Sequence, residues 1–411
     1  MKGGVVWLWG AWAAWAACPA GAAAATVAPV CSFELLGGQY FFSGQRAGLS
    51  GNASALVAPA VALGDSVRLI PVFSSRYQGT KQVVDLVGAG SLFQEQMEHR
   101  ASLRAVLGAG GGSWRFKPNV SYQYHLLKET KDEAWARGLF DSWRVSGGLE
   151  VEYVYRRPYS VRVAVDDFYT AFPNYTSLES QVGLDLQGQP LARELAGRRV
   201  LNSHSQSALL GASAPLGSAS GEAQLALQRT RFTDQRLVDR AGALGFDARE
   251  DYLTSLSLSL RRPAVVSPSV RLVAAVDLAG AYNASNQSSY DARRARYLDG
   301  YYDYGELRAG LGGQLLLGDS RRPAVCSLGG AWTARSYPRR HPQDEAGEYG
   351  AGGTRQRTWV LSSSVRYPLA ERLRLVFDLH YGRAGSNQRY AQGYSYRYAV
   401  ANYLFGVSYD Y

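Results

Sequence analysis

Long apolar runs are missing from this 411-residue sequence once its first 25 residues are set aside. No later stretch approaches the roughly 18 consecutive apolar residues that a membrane-spanning helix requires. Cysteine is scarce, with 3 in all, and the spacing of Cys31 and Cys326 fits neither a disulfide framework nor a zinc site. We therefore predict no metal site.

Clustered charge is also missing, although the net charge is +10. The basic residues occur singly or in adjacent pairs, never five or more together, so we expect no nucleic-acid partner. The glycines at positions 110–112 precede neither the Lys-Ser/Thr pair nor the helix of a phosphate-binding loop. The sequence therefore predicts no cofactor.

The composition instead favours β-structure, with 27 tyrosines, 45 glycines and only 2 methionines. Tyrosine favours strands and glycine disfavours helix interiors. The mean hydropathy of −0.20 does not exclude a membrane protein. A transmembrane barrel carries its apolar residues in alternation, about ten residues at a time, which leaves overall hydropathy low.

The N-terminus has the three parts of a secretory signal peptide. Lys2 supplies a positive charge, Val5 to Ala17 form a short apolar segment, and small residues extend to Ala25. We predict a signal peptide over residues 1–25, with cleavage near Ala25, and a mature barrel over 26–411. An alternative is lipidation at Cys18, although Trp15 stands where that motif has a branched aliphatic residue.

The remaining sequence divides into alternating segments separated by turn residues. Their number predicts an all-β fold, a single antiparallel barrel of about 16 strands, with 14 or 18 as alternatives. The segments are 33–44, 53–61, 66–76, 94–108, 113–127, 142–156, 158–170, 205–215, 219–232, 251–262, 268–282, 301–317, 323–336, 355–367, 371–383 and 397–411.

The connections alternate between short and long. Seven short turns (62–65, 109–112, 157, 216–218, 263–267, 318–322 and 368–370) are interleaved with loops that include 128–141, 171–204, 233–250, 283–300 and 337–354. Short periplasmic turns and long outer loops are typical of barrels of the bacterial outer membrane. We therefore expect both termini in the periplasm. The loop 171–204 is long enough to plug the lumen, with residues 172–175 as an inward anchor.

One face of each segment is apolar and the other is polar. A membrane barrel turns the apolar face to lipid and the polar face to its lumen. On this basis we predict the following lumen-lining residues: Arg100, Arg104, Arg115, Lys117, Arg144, Glu150, Glu152, Arg156, Arg162, Asp166, Arg271, Asp277, Glu306, Arg308, Arg366, Arg372, Arg374 and Asp378. Most of these charges are expected to pair across neighbouring strands, and the surplus of bases predicts a mild anion preference.

Aromatic residues gather at the ends of segments with aliphatic centres, which is the pattern of two interface girdles. The predicted interface aromatics are Trp114, Trp143, Tyr153, Tyr155, Tyr159, Trp332, Trp359 and Tyr381.

The last strand carries a more specific pattern. Gly406, Tyr409 and Tyr411 resemble the C-terminal signal by which the barrel-assembly machinery recognises bacterial outer-membrane β-barrel proteins, although Leu404 stands at a usually polar position. The last hairpin, with residues 381–387, 394–396 and Asn402, also resembles the closing hairpin of surface lipoprotein assembly modifier barrels. These resemblances imply an outer-membrane location in a Gram-negative-type bacterium, with the lipid bilayer, the assembly machinery and lipopolysaccharide as partners.

Three functions are compatible with this sequence. The first is a porin-like channel, monomeric or homotrimeric, for diffusion of small polar or anionic solutes. The alternatives are a barrel that exports or anchors a surface lipoprotein or exopolymer, and a structural or adhesive barrel that acts through its extracellular loops. Outer-membrane phospholipases use outward Ser and His residues, and His99 has the outward parity, but no nucleophile motif surrounds it. We therefore predict no enzyme activity and no catalytic residues.

Overall fold

The chain folds into one closed antiparallel β-barrel, seen here in a computed structural model. The structure describes residues 25–43, 45, 47–85, 90–108, 112–155, 159–176, 182–184, 190–192, 195, 197–239, 243–291, 296–319, 321–390 and 397–411. The predicted signal peptide lies outside these ranges except for its last residue. Within them no helix is long and apolar enough to cross a membrane.

All the regular elements in the described residues are strands. In chain order they are β1 (Thr26–Ala28), β2 (Cys31–Phe42), β3 (Gly48–Val57), β4 (Ala60–Leu63), β5 (Val67–Gln78), β6 (Gln82–Asp85), β7 (Gly90–Phe93), β8 (Glu95–Leu107), β9 (Trp114–Lys128), β10 (Ser142–Tyr155), β11 (Tyr159–Ala171), β12 (Val182–Leu184), β13 (Pro190–Ala192), β14 (Ser203–Leu216), β15 (Ala219–Val238), β16 (Leu244–Ser267), β17 (Val270–Ser285), β18 (Ser289–Asp291), β19 (Arg296–Leu298), β20 (Tyr304–Leu317), β21 (Ala324–Tyr337), β22 (Thr354–Pro368), β23 (Leu373–Ser386) and β24 (Tyr398–Asp410).

Eighteen of these elements form the wall, and they amount to sixteen barrel strands. β1 continues β2, and β4 continues β3 after a short interruption, because β1 pairs with β4 just as β2 pairs with β3. Every wall strand pairs with its neighbours in chain order, and β24 pairs with β2 to close the ring. The prediction of a single 16-stranded antiparallel barrel is confirmed.

The largest error in the predicted boundaries concerns the hairpin of β15 and β16. Residues 263–267, predicted as a turn, continue β16, and the turn comes at Pro268 and Ser269. Pro263 lies where β16 has a neighbouring strand on only one side, because β15 pairs with β16 only as far as Arg261, and such edge positions are where strands tolerate proline. The predicted loop 233–250 is likewise mostly strand, and the hairpin rises above its neighbours.

The two ends of the barrel differ in their connections. At one end are short turns such as Gly217–Ser218, where Gly217 has a φ of 64°, a conformation that glycine adopts without strain. At the other end are all the longer loops, including the small hairpins β6–β7, β12–β13 and β18–β19. Because sixteen is even, the first barrel strand begins and the last one ends at the short-turn end.

The two faces of the wall follow the alternation of the sequence. Leu210, Leu256, Leu311 and Leu328 are among the many exposed apolar side chains on one face. Polar side chains on the other face reach one another across intervening strands, which requires the concave side. Arg162 on β11, for example, contacts Glu222 on β15 across β14. The apolar face is therefore the outside and the polar face lines the lumen, as in transmembrane barrels.

The eight predicted interface aromatics all have the outward register. Trp114 and Tyr153 contact each other near the short-turn end, at 4.8 Å between ring centroids, and Tyr155 pairs with Tyr159 there. Trp143, Trp332, Trp359 and Tyr381 lie toward the long-loop end, where Trp332 and Trp359 are 6.1 Å apart. From Trp143 to Tyr153 the strand rises roughly 25 Å at about 3.3 Å per residue and a tilt of ~40°, the height of a membrane-embedded band.

A pair of adjacent substitutions tests which face meets lipid. We expect Leu258→Arg, on the outer face midway along β16, to lower the free energy of unfolding in lipid by about 2–4 kcal/mol, since a guanidinium would be buried in hydrocarbon. Ser257→Arg on the inner face should change it by less than ~1 kcal/mol. Urea unfolding of both variants in vesicles measures this. A larger loss for Ser257→Arg would contradict the assignment of the faces.

Candidate functional site

The candidate site is the concave inner wall of the barrel. Strand register places sixteen of the predicted lumen residues on this face: Arg100, Arg104, Arg115, Lys117, Arg144, Glu150, Glu152, Arg162, Asp166, Arg271, Asp277, Glu306, Arg308, Arg366, Arg374 and Asp378. Arg156 lies outside the described residues. Arg372 is misplaced by the prediction: it belongs to the turn before β23, and its guanidinium lies over the ring of Tyr411 at 3.8 Å.

Many of these inner charges form ion pairs across neighbouring strands. Lys117 contacts both Glu150 at 2.5 Å and Glu152 at 2.9 Å. Glu152 also accepts from Arg115 at 3.4 Å. Further pairs join Arg335 to Glu306, Arg366 to Glu34 and Arg374 to Asp410. These pairs hold the wall together and neutralise each other, so they contribute little net field to the lumen.

A second group of inner charges is basic and unpaired. Arg68 and Arg76 on β5, Arg100 and Arg104 on β8, and Arg144 on β10 all face the lumen and are exposed. None of the five forms a salt bridge within the described part of the chain; Arg144 donates to Thr170 Oγ1 at 3.0 Å and lies over the ring of Phe168. We call this group the arginine wall. One acid, Glu98 on β8, lies among them opposite Arg76, so five bases and one acid leave this side of the lumen positive.

The opposite character appears near the closing strands, where the inner wall carries a small apolar patch. Leu36, Val376 and Leu404 are at most 4% exposed and pack together. Arg366 reaches Glu34 at 3.0 Å across β23 and β24, the strands that carry Val376 and Leu404. Leu404, which breaks the polar pattern of the last strand, is therefore explained by this patch.

At the long-loop end three loops pack together on the lumen side. Phe93, Phe140, Tyr175, Val200 and Leu201 form one buried cluster with the inward-facing Leu127 of β9. Phe140 contacts Phe93 and Tyr175, each at 5.9 Å between ring centroids. We call this the loop cluster. It covers part of the lumen wall at this mouth of the barrel.

Asp141 ties the loop cluster to the wall. Its carboxylate accepts from Leu127 N at 2.8 Å, from Gly138 N at 2.9 Å and from Asn174 Nδ2 at 3.4 Å. Burial raises the pKa of this carboxyl, and the two backbone bonds oppose the rise. The predicted anchor at residues 172–175 thus joins its loop to the loop 129–141. Residues 177–181, 185–189, 193, 194 and 196 of the same loop lie outside the described ranges.

Two buried arginines at the other loops were missed from sequence. Arg340 lies between the rings of Tyr301 and Tyr337, at 4.1 and 3.8 Å. Arg249 lies over Tyr302 at 4.1 Å and pairs with Asp251 at 2.7 Å. Cation–π contacts of this kind join residues far apart in sequence, so no local motif announces them.

One Ser–His contact lies on the outer face. Ser75 Oγ is 3.0 Å from His99 Nδ1, between β5 and β8, and Ser75 borders an apolar groove of about 420 Å³. A hydrolytic pair needs a third group to orient the imidazole. Within the described residues no hydrogen bond joins the other ring nitrogen of His99 to such a group. Those residues also hold no cluster of three metal-ligating side chains.

Neither of two sequence comparisons finds a relative. No protein-family model matches the chain, and no curated protein matches it.

Solved structures of similar shape are outer-membrane barrels. A loop-deletion mutant of OmpT, an outer membrane protein of Vibrio cholerae, is 11% identical, covers 95% of this chain and 100% of its own, and has a TM-score of 0.46. An anion-selective porin from Comamonas acidovorans is 10% identical over 94% and 100%, with a TM-score of 0.43. A structure described as a bacterial polysaccharide outer membrane secretin is 9% identical over 93% and 98%, with a TM-score of 0.45. At the level of the fold, the predicted resemblance to porin-like outer-membrane β-barrels is confirmed. The confirmation rests on the closed sixteen-stranded barrel of this chain.

Proposed function

We propose that this protein is a non-enzymatic outer-membrane channel that passes small polar solutes by diffusion and prefers anions. The observation that carries the proposal is the arginine wall: five exposed arginines without a salt bridge face the lumen from β5, β8 and β10, whereas six acids of the inner wall are ion-paired. A sixteen-stranded barrel is wide enough to leave an aqueous lumen. Anions entering it lose less solvation energy beside guanidinium groups than cations do, which gives selectivity.

The orientation and biogenesis follow from the same proposal. The short-turn end, which holds both termini, faces the periplasm and the long loops face outward. Tyr409 has the outward register on the last strand and Gly406 the inward one, and Tyr411 follows the end of that strand and donates to Cys31 O at 2.8 Å. The residues proposed as the assembly signal therefore lie on, or directly after, the strand that closes the barrel. The surface lipoprotein assembly modifier resemblance stays a prediction; residues 394–396 lie outside the described ranges.

Reversal potentials across planar bilayers test the selectivity. We expect the purified protein to give steady conductance with chloride favoured over potassium, and the triple variant Arg68→Gln, Arg100→Gln and Arg104→Gln to lower that preference by about twofold or more. The triple variant Arg355→Gln, Arg357→Gln and Arg383→Gln removes the same charge from the outer face and is the matched control. Cation selectivity in the unmodified protein, or equal effects of both triples, would contradict the proposal.

The loop cluster is proposed to narrow the outer mouth. Phe140→Ala should loosen it, since removing a buried phenyl ring from a packed cluster costs about 3–5 kcal/mol. We expect a larger and noisier single-channel conductance. Phe246→Ala, which removes a ring that is 99% exposed at the tip of the β15–β16 hairpin, should leave conductance unchanged. An unchanged current in Phe140→Ala would show that the constriction lies elsewhere.

The β15–β16 hairpin favours a second function, adhesion through the outer loops. This hairpin extends beyond the neighbouring strands. β15 pairs with β14 only as far as Phe232, and β16 pairs with β17 only from Asp251 onward. Phe246 stands on the overhang almost fully exposed. On this second function, the ring of Phe246 would contact the binding partner.

Deleting residues 236–248 separates the two functions. A channel should keep its conductance and selectivity, because the deleted residues lie above the wall. An adhesive barrel should lose surface binding of whole cells and show no conductance even before the deletion. The bilayer recording and a cell-attachment assay on the same pair of proteins give the answer.

A further inference from the structure

Three arginines stand on the outer face of the barrel, where most side chains are apolar. Arg355 and Arg357 lie on β22 and Arg383 lies on β23, all with the outward register and all exposed. Arg383 is directly opposite Trp359, which belongs to the aromatic belt of the long-loop end. The three guanidinium groups therefore lie at the edge of the apolar band, on the side of the long loops.

The same three arginines line one cavity of about 630 Å³. Trp359 forms its floor toward the apolar band, and Gly353 and Asn387 border it on the loop side. No acidic side chain is among the residues that line it. We call this cavity the arginine pocket.

The charges of the arginine pocket are not balanced by the protein. In the described part of the chain none of the three arginines forms a salt bridge, whereas Arg229, also on the outer face, pairs with Glu250 at 2.7 Å. Arg355 is two residues from Arg357 on the same face, and Arg383 is diagonal to Arg357, so the Cα atom of Arg357 is about 7–8 Å from each of the other two. Arg355 and Arg383 lie on opposite sides of Arg357, at about twice that distance from each other. Three like charges this close to a low-dielectric surface attract an anion that carries several oxygens.

We propose that the arginine pocket binds the phosphate headgroup of a membrane lipid in the leaflet at the long-loop end. Guanidinium groups bind phosphate oxygens through paired N–H donors, and their aliphatic stems lie along apolar surface at an interface. Below the pocket the exposed side chains of Leu361, Tyr381 and Phe405 continue the apolar wall. That continuity favours a lipid over free phosphate, because the headgroup and the acyl chains contact one uninterrupted surface.

Two glycines border the arginine pocket. A Cβ on Gly353 would lie 2.4 Å from Tyr337 O, so only glycine fits at this position. A Cβ on Gly385 would meet no atom within 4 Å and would point into the arginine pocket. Gly385→Leu therefore adds apolar volume at the pocket without removing a charge.

Native mass spectrometry of the full-length mature protein in non-ionic detergent tests the proposal, with bis-phosphorylated lipid A as the probe. We expect one retained lipid, bound about tenfold or more weakly by the Arg355→Gln, Arg357→Gln and Arg383→Gln triple. Gly385→Leu should weaken it similarly. The lumen triple Arg68→Gln, Arg100→Gln and Arg104→Gln is the control. It loses the same charge but keeps the three outer arginines, so it should bind lipid A as the unmodified protein does.

Other outcomes would overturn the proposal. Equal loss of lipid in both triples would mean that net charge alone holds it. Competition by millimolar inorganic phosphate would assign the site to the free anion instead, and unchanged binding by dephosphorylated lipid A would show that the arginines are not used. The inference rests on the proposed membrane placement but not on conduction, because lipid binding and bilayer current are measured separately on the same variants.

Discussion

Closure of the hydrogen-bond ladder between β2 and β24 is the constraint on which the rest of this structure depends. From Ser32 opposite Asp410 to Phe42 opposite Val400, the two strands pair over eleven consecutive positions. In hydrocarbon an unpaired strand edge has no water to bond, so a sheet can cross a membrane only as a closed ring. Once the ring closes, one face is convex and the other concave, and every side chain is assigned to lipid or to the lumen.

The concave face shows how this assignment organises charge. Acids and bases on adjacent strands pair where the register brings them together, as at Lys117 with Glu150 and Glu152. Where no acid is opposite, arginines such as Arg100 and Arg104 remain exposed to the lumen. Small residues make the longer pairs feasible: a Cβ at Gly211 would lie 2.7 Å from Nε of Arg162, which crosses that strand to reach Glu222. The electrostatic field in the lumen is therefore set by the charges that the strand register leaves unpaired.

The convex face follows a different rule. Its charges are few: Arg383 lies level with Trp359, and Asp167 pairs with His204 two residues inside Tyr169. Arg229 and Arg231 gather around Glu250, while Arg355, Arg357 and Arg383 have no acid among the residues that line their pocket. The loops of the long-loop end add their own packing, from the loop cluster to the buried Arg340 and Arg249. The packing at this end depends on contacts between loops, not on the strands alone.

The sequence alone determined the architecture. Alternation with a period of two assigns faces strand by strand, and it placed sixteen of the eighteen predicted lumen residues on the concave side because parity is a local property. Turn chemistry located most of the short connections. It failed at Pro263, which was expected in a turn but continues β16, at a position where β15 no longer pairs with that strand. The prediction from parity also failed at Arg372. This residue lies in the turn just before β23, and its guanidinium lies over the ring of Tyr411 instead of lining the lumen.

Only the tertiary structure decided which charges are neutralised and which are free. Arg366 finds Glu34 more than three hundred residues away along the chain, across two strands. Ser75 meets His99, and three loops meet at Phe140, through register and closure that no segment encodes by itself. Parity is fixed by each residue's immediate neighbours, whereas pairing depends on where the ring brings distant strands together, so the faces could be predicted from the sequence and the field of the lumen could not.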